Sequence, residues 1–210
     1  MSFHEHLPYV ERPDLTPFLI HLTKNTKADN ESSAFDNLVS ILKSGEIVAS
    51  NKKKGFIKGT NGATCFMDVP FMSLKYILNN DTANPNKNPK YEPFGVVIKK
   101  TTAYRKGVRP VFYLSNGELK EIGVPKEYLW RCVRFEGIET KAVNWTHERE
   151  WRAKGNFKLP KEPIAALVAN TIYARKLEAL ISEQGSKFKA KPKSIIPINV
   201  ITQGLVYLKK

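Results

Sequence analysis

The sequence predicts an α+β protein, and three observations carry that prediction. Strand-like segments outnumber helical ones and come in runs, without the strand–helix alternation of a parallel βαβ layout. One segment carries complete helix signals: Ser33-Ala34-Phe35-Asp36 reads as a capping box, apolar residues follow at helical spacing, and Gly45 stands where a left-handed residue ends a helix. With 41% hydrophobic residues, a chain of 210 residues can also bury a real core. The length suits a single domain spanning 1–210, and no internal repeat or linker marks a boundary.

In chain order, Pro17 to Lys24 reads as a first strand, because its apolar and β-branched residues follow a proline-punctuated, irregular start. A helix follows, with Phe35, Leu38, Val39, Ile41 and Leu42 giving its apolar face. Glu46 to Ser50 is a short strand, and Asn51 to Gly62, rich in Lys and Gly without an apolar period, is a loop. Ala63 to Asp68 is the next strand. Pro70 suits a first helical turn, with Phe71, Leu74, Ile77 and Leu78 on the helix after it. Asp81 to Pro93 reads as a second exposed loop. Phe94 to Lys100 and Arg109 to Ser115 are β-branched and aromatic strands. Lys126 to Glu136 reads as a helix with Tyr128, Leu129, Cys132 and Val133 inward. Strands at His147 to Ala153 and Ile164 to Ala169, a helix from about Ala174 to Glu183 and a strand at Ile195 to Ile201 complete the order.

Composition narrows the function classes. No run of about 18 apolar residues is present, and the N-terminus lacks a basic segment followed by an apolar one, which points to a cytoplasmic protein without a membrane span. Cys65 and Cys132 are isolated and predict reduced thiols. The four histidines, at 4, 6, 21 and 147, lack the spacing of a zinc site, so no metal is expected. Neither a GxGxxG turn nor a Walker-type loop occurs. The balance of 34 Lys and Arg against 20 Asp and Glu gives a net charge of +14. Such a surface gains affinity for a polyanion by releasing condensed counterions, which makes nucleic acid the expected partner. The lysines cluster at Lys52, Lys53, Lys54 and Lys58, at Lys99 and Lys100, and at Lys187, Lys189, Lys191 and Lys193.

The most informative stretch is Asn144 to Arg152. Read as a strand, it places Glu148 and Glu150 at positions i and i+2, on one face, with Arg149 and Trp151 on the other. Paired carboxylates on one face suit proton transfer or stabilisation of a developing cation. A solvated surface strand fits the same residues. In the first strand, alternation likewise puts His21 and Thr23 on one face. Asp68, Glu148 and Glu150 are the acids available to a metal-dependent nuclease.

The order of His21-Leu22-Thr23, Asn37 to Gly45, Cys65 to Pro70, Arg109 to Tyr113 and Glu148 to Arg152 resembles the ADP-ribosyltransferase fold. The likeness is to the DarT group of nucleic-acid-modifying toxins and to AbiGi-like abortive-infection proteins. The resemblance implies a split β-core with flanking helices and NAD as substrate. It places His21 and Thr23 on the nicotinamide side of NAD, with His21 in the catalytic set. Glu150 is then the catalytic glutamate and Glu148 serves the acceptor. Tyr76 or Tyr113 covers the nicotinamide, and His21, Thr23 and Glu150 share one cleft. The chain departs from the DarT pattern at an arginine between the first strand and the glutamate strand; Arg109 or Lys58 is the candidate cation. Acceptor binding falls to Lys52, Lys53, Lys54, Lys58 and Arg109. The resemblance further implies a toxin or anti-phage effector, with an antitoxin as possible partner. The alternative is a non-catalytic nucleic-acid-binding module on a degenerate transferase-like fold.

Overall fold

The computed structural model describes residues 14–24, 33–50, 57–82, 89–137 and 144–203. Lys52, Lys53, Lys54, His4 and His6 lie outside these residues. In chain order the first elements are β1 (Phe18–Leu22), α1 (Ala34–Ser44), β2 (Glu46–Ile47), β3 (Ala63–Met67), α2 (Leu74–Thr82) and β4 (Gly95–Lys99). The central stretch holds α3 (Lys100–Arg105), β5 (Arg109–Pro110), β6 (Phe112–Leu114), α4 (Asn116–Ile122) and β7 (Cys132–Arg134). After it come β8 (Glu150–Lys154), β9 (Phe157–Lys158), β10 (Ala165–Val168), α5 (Thr171–Glu183), β11 (Ile195–Pro197) and α6 (Ile198–Ile201). The architecture is α+β. Among the described residues no helix is long and apolar enough to cross a membrane.

The chain divides into two compact units, each assembled from separate segments. One comprises Met1–Gly45, Val69–Lys99 and Leu159–Lys210. Its strands run in the order β11-β10-β4-β1, parallel between β10 and β11 and antiparallel in the other two pairings. Val96, Val97, Ile98 and all four residues of β10 are buried, so these strands read as continuous apolar runs rather than alternating ones. The helix signals at Ser33 are realised: its hydroxyl accepts from Asp36 N at 3.1 Å, and the Asp36 carboxylate accepts from Ser33 N at 3.3 Å. Gly45 closes α1 at φ 67, with its N–H on Ile41 O. Phe35, Phe94 and Tyr173 form a ring cluster with centroids 4.9 to 5.8 Å apart, joining α1, the entry to β4 and α5. Each such pair contributes about 0.5–1.5 kcal/mol beyond its buried area. Gly95 is required where it stands, since a Cβ there would run into the carbonyl oxygen of His21 on β1.

The other unit comprises Glu46–Asp68 and Lys100–Lys158. In it β8 lies between β3 and β5, antiparallel to both, while β6 pairs β7 in parallel and β2 pairs β9. The segment expected as one strand from Arg109 to Ser115 is broken at Val111: β5 joins β8 and β6 joins β7. Lys126 to Glu136 is not a helix. It is a 3-10 segment, Lys126–Arg131, followed by β7, because the buried Cys132 and Val133 take a partner strand. Tyr128, expected inward, is exposed. At Ile195 to Ile201 the strand stops at Pro197 and α6 begins. A second capping box, Ser115 with Glu118, starts α4, a helix that the apolar pattern did not reveal.

Candidate active site

Glu148 and Glu150 do not lie on one strand. Thr146–Glu148 is a 3-10 turn, Arg149 takes a left-handed conformation at φ 45 and ψ 54, and β8 begins only at Glu150. The alternation argument for a shared face therefore fails, although both carboxylates are buried. A non-glycine residue in the left-handed region costs on the order of 1–3 kcal/mol and persists only where its surroundings impose it. Here the turn is held from several sides. Tyr113 on β6 offers its hydroxyl oxygen to Glu150 N at 2.8 Å, and Val111 N donates to Glu150 O. Asp68 N donates to Glu148 O.

The side chain that defines the site is Arg152, which pattern reading overlooked. Its Nε and Nη2 hold the two oxygens of Glu150 at 2.7 and 3.2 Å, a bidentate pair. Its Nη1 donates to the carbonyls of Trp130 and Cys132 at 2.9 and 3.2 Å. Arg152 is buried, and its charge is tolerated because four bonds replace its hydration. Burial alone lowers its proton affinity, yet the Glu150 carboxylate reverses this and holds it above the ordinary arginine value. The signal was present: residues 150 and 152 are i and i+2 on a strand and carry opposite charges.

Across the sheet, Cys65 is the register partner of Arg152. Burial, then the neighbouring Glu150 carboxylate, push its thiol well above the ordinary value, with Arg152 opposing. Cys65 is thus a neutral thiol at physiological pH, unsuited to a nucleophilic role. Tyr113 is raised from 10.0 to about 12, mainly by burial. Its hydroxyl, bonded to Glu150 N and reaching Trp145 O at 3.5 Å, is engaged with the turn. Asp68 pairs with Lys100 at 2.8 Å and accepts from Trp151 Nε1 at 3.1 Å. Among the described residues no group of three His, Cys, Asp or Glu is placed to hold a metal.

Arg109 and Lys58, the candidate cations, belong to the same unit as Glu150. Arg109 faces Arg152 in register, but its Nη1 is spent on the carbonyls of Tyr104 and Val108. Lys58 donates to Asn116 Oδ1 at 2.6 Å. Neither is bonded to Glu150, whose carboxylate is held by Arg152.

His21, Thr23 and Tyr76 belong to the other unit. His21 sits on β1 opposite Val96 and is half-buried. Thr23 lies one residue beyond β1, with its hydroxyl directed at the carbonyls of Ala34 at 2.8 Å and Phe94 at 3.2 Å. Its backbone N–H donates to Phe94 O and its own carbonyl accepts from Glu92 N. The side chain thereby ties the start of α1 to the entry of β4. Tyr76, on α2, is 72% exposed.

A solved structure is similar to this chain: DarT of Thermus sp. 2.9 in complex with carba-NAD+. The two share 15% identity at a TM-score of 0.44, over 87% of this chain and 96% of that one. No protein-family model and no curated protein matches the chain.

Proposed function

We propose that this protein is an NAD-dependent ADP-ribosyltransferase whose acceptor is a nucleic acid. The observation that carries the reading is Glu150, a buried carboxylate fixed by Arg152 at the start of β8, directly after a left-handed turn that buries Glu148 as well. Breaking the bond between nicotinamide and the ribose C1′ sends the electron pair out with nicotinamide and leaves positive charge on the ribose. A carboxylate held rigidly in a dry setting stabilises that charge without reorganising, which is the efficient form of electrostatic catalysis. The acceptor then bonds to C1′ and gives up a proton, the role assigned to Glu148. His21 and Thr23 are assigned to NAD; Thr23, whose hydrogen is directed at backbone carbonyls, would act through its oxygen lone pairs. Tyr76 is the exposed ring available to cover nicotinamide, whereas Tyr113 supports the glutamate turn. The +14 charge supports a polyanionic acceptor, with Lys52, Lys53, Lys54, Lys58 and Arg109 among the contacts. A toxin or anti-phage role, restrained by an antitoxin, belongs to the same proposal.

One observation favours the alternative, a non-catalytic module: both Glu150 oxygens are already engaged by Arg152. Each carboxylate oxygen has a second lone pair, so a ribose hydroxyl can still be bound. The deciding experiment incubates the protein with labelled NAD and separate pools of DNA, RNA and protein. The parent should release nicotinamide and label nucleic acid, and Glu150→Gln should slow release by roughly 10²–10³. Glu148→Gln should be milder for NAD hydrolysis and harsher for transfer. Absence of NAD turnover in the parent would establish the module instead.

A further inference from the structure

We infer that Tyr104, Arg109, Phe112, Tyr128 and Arg131 form a binding strip for single-stranded nucleic acid. The strip lies on the same unit as Glu150 and deepens the acceptor reading, although binding itself does not require catalysis. Two arginines are fixed against two rings. The Arg109 guanidinium lies 3.7 Å from the centroid of Tyr104, anchored by Nη1 on the carbonyls of Tyr104 and Val108. The Arg131 guanidinium lies 4.4 Å from the centroid of Phe112, with Nε and Nη2 both on Pro110 O at 3.2 and 2.8 Å. Among the described residues neither arginine makes an ion pair. They stand near enough that partial burial and the charge of Arg109 together lower the proton affinity of Arg131. Two preoriented guanidiniums without a carboxylate form an anion site, and their planar forks suit phosphodiester oxygens.

The rings identify which polyanion fits. Tyr104, Phe112 and Tyr128 are 52%, 42% and 48% exposed; Tyr104 and Phe112 lie against the two guanidiniums, and Tyr128 is near enough to act electrostatically on Arg131. Bases stack on such rings, and on the open faces of guanidiniums, only when they are not stacked on each other. A duplex would offer phosphates but no base faces, and an acidic polypeptide would leave the rings idle. The strip also adjoins the glutamate site. Arg131 sits between Trp130 and Cys132, whose carbonyls hold Arg152. Pro110 is the register partner of Trp151, and Val111 N donates to Glu150 O. A strand held on Arg109 and Arg131 is therefore delivered next to the residues that fix Glu150.

The test titrates the full chain with a short labelled oligonucleotide of mixed sequence, as single strand and as duplex, at several salt concentrations. Single strand should bind more tightly than duplex. The double substitution Arg109→Gln, Arg131→Gln should weaken single-strand binding at least about tenfold and flatten the log K against log salt slope by roughly 1.4, at about 0.7 per lost contact. Phe112→Ala should weaken binding about tenfold with the slope unchanged, because stacking releases no counterions. Lys at both arginine positions preserves charge if the glutamine pair fails to fold, and should keep the slope while losing affinity. Unchanged affinity and slope in the folded double variants would overturn the strip, as would equal binding of duplex. Displacement by polyglutamate as readily as by unlabelled oligonucleotide would assign the surface to an acidic protein instead. NAD turnover measured without nucleic acid separates the two proposals. Turnover with an ineffective strip refutes only the strip, and a working strip without turnover refutes only the transferase reading.

Discussion

Replacing Arg152 by Met tests the central contact directly. Methionine approximates the length of the arginine stem and removes four bonds: two to the Glu150 carboxylate and one each to the carbonyls of Trp130 and Cys132. Because all of this is buried, the stranded Glu150 charge dominates, and breaking a buried pair by removing one partner costs about 3–5 kcal/mol. For a chain of this size, at about 2–4 °C per kcal/mol, the unfolding midpoint should fall by about 6–20 °C. Glu150→Gln keeps one acceptor oxygen and the side-chain shape, and should cost roughly 1.5–3 kcal/mol, the worth of a hydrogen bond to a charged group. The double variant leaves no charge unpaired, so its cost should fall short of the sum by roughly 1–3 kcal/mol. Urea unfolding of the four proteins gives the cycle. Additive costs, or single variants within about 0.5 kcal/mol of the parent, would refute the view that Arg152 holds Glu150.

Three further outcomes follow from the geometry. Gly95→Ala should cost about 3 kcal/mol or more, because the added methyl meets the His21 carbonyl where β1 and β4 pair; a folded protein of parent stability by chemical denaturation would show that contact to be wrong. Thr23→Val preserves shape while leaving the tie to Ala34 and Phe94 unmade, and a loss of roughly 1–3 kcal/mol in the same assay is expected. Tyr113 is raised from 10.0 to about 12, so the folded state holds its proton more tightly than the unfolded one. Its contribution is complete below pH 10 and is lost as pH rises towards 12. Stability measured across that window should decline in the parent, and Tyr113→Phe should be less stable at neutral pH but show a shallower alkaline decline.

Local grammar was legible wherever the chain acts on its nearest neighbours. The Ser33 box, the Gly45 terminus and the apolar runs of β4 and β10 depend on residues a few positions apart, so spacing alone settles them. The α+β class followed from the order of such segments, and the +14 charge is a property of composition. Tertiary pairing decided the rest. Lys126 to Arg134 has an inward apolar set compatible with a helix, but β6 supplies a strand partner and the last three residues become β7. Alternation through residues 147 to 153 could not register the left-handed Arg149, because that conformation is imposed by bonds from Tyr113, Val111 and Asp68, each distant in sequence. The sequence by itself determined that Glu148 and Glu150 occur together, two residues apart, in a polycationic chain. Opposite charges at i and i+2 left the Glu150–Arg152 pair open to sequence reading, but only the tertiary structure decided that it is buried and fixed, because chain folding brings the carbonyls of Trp130 and Cys132 to the guanidinium.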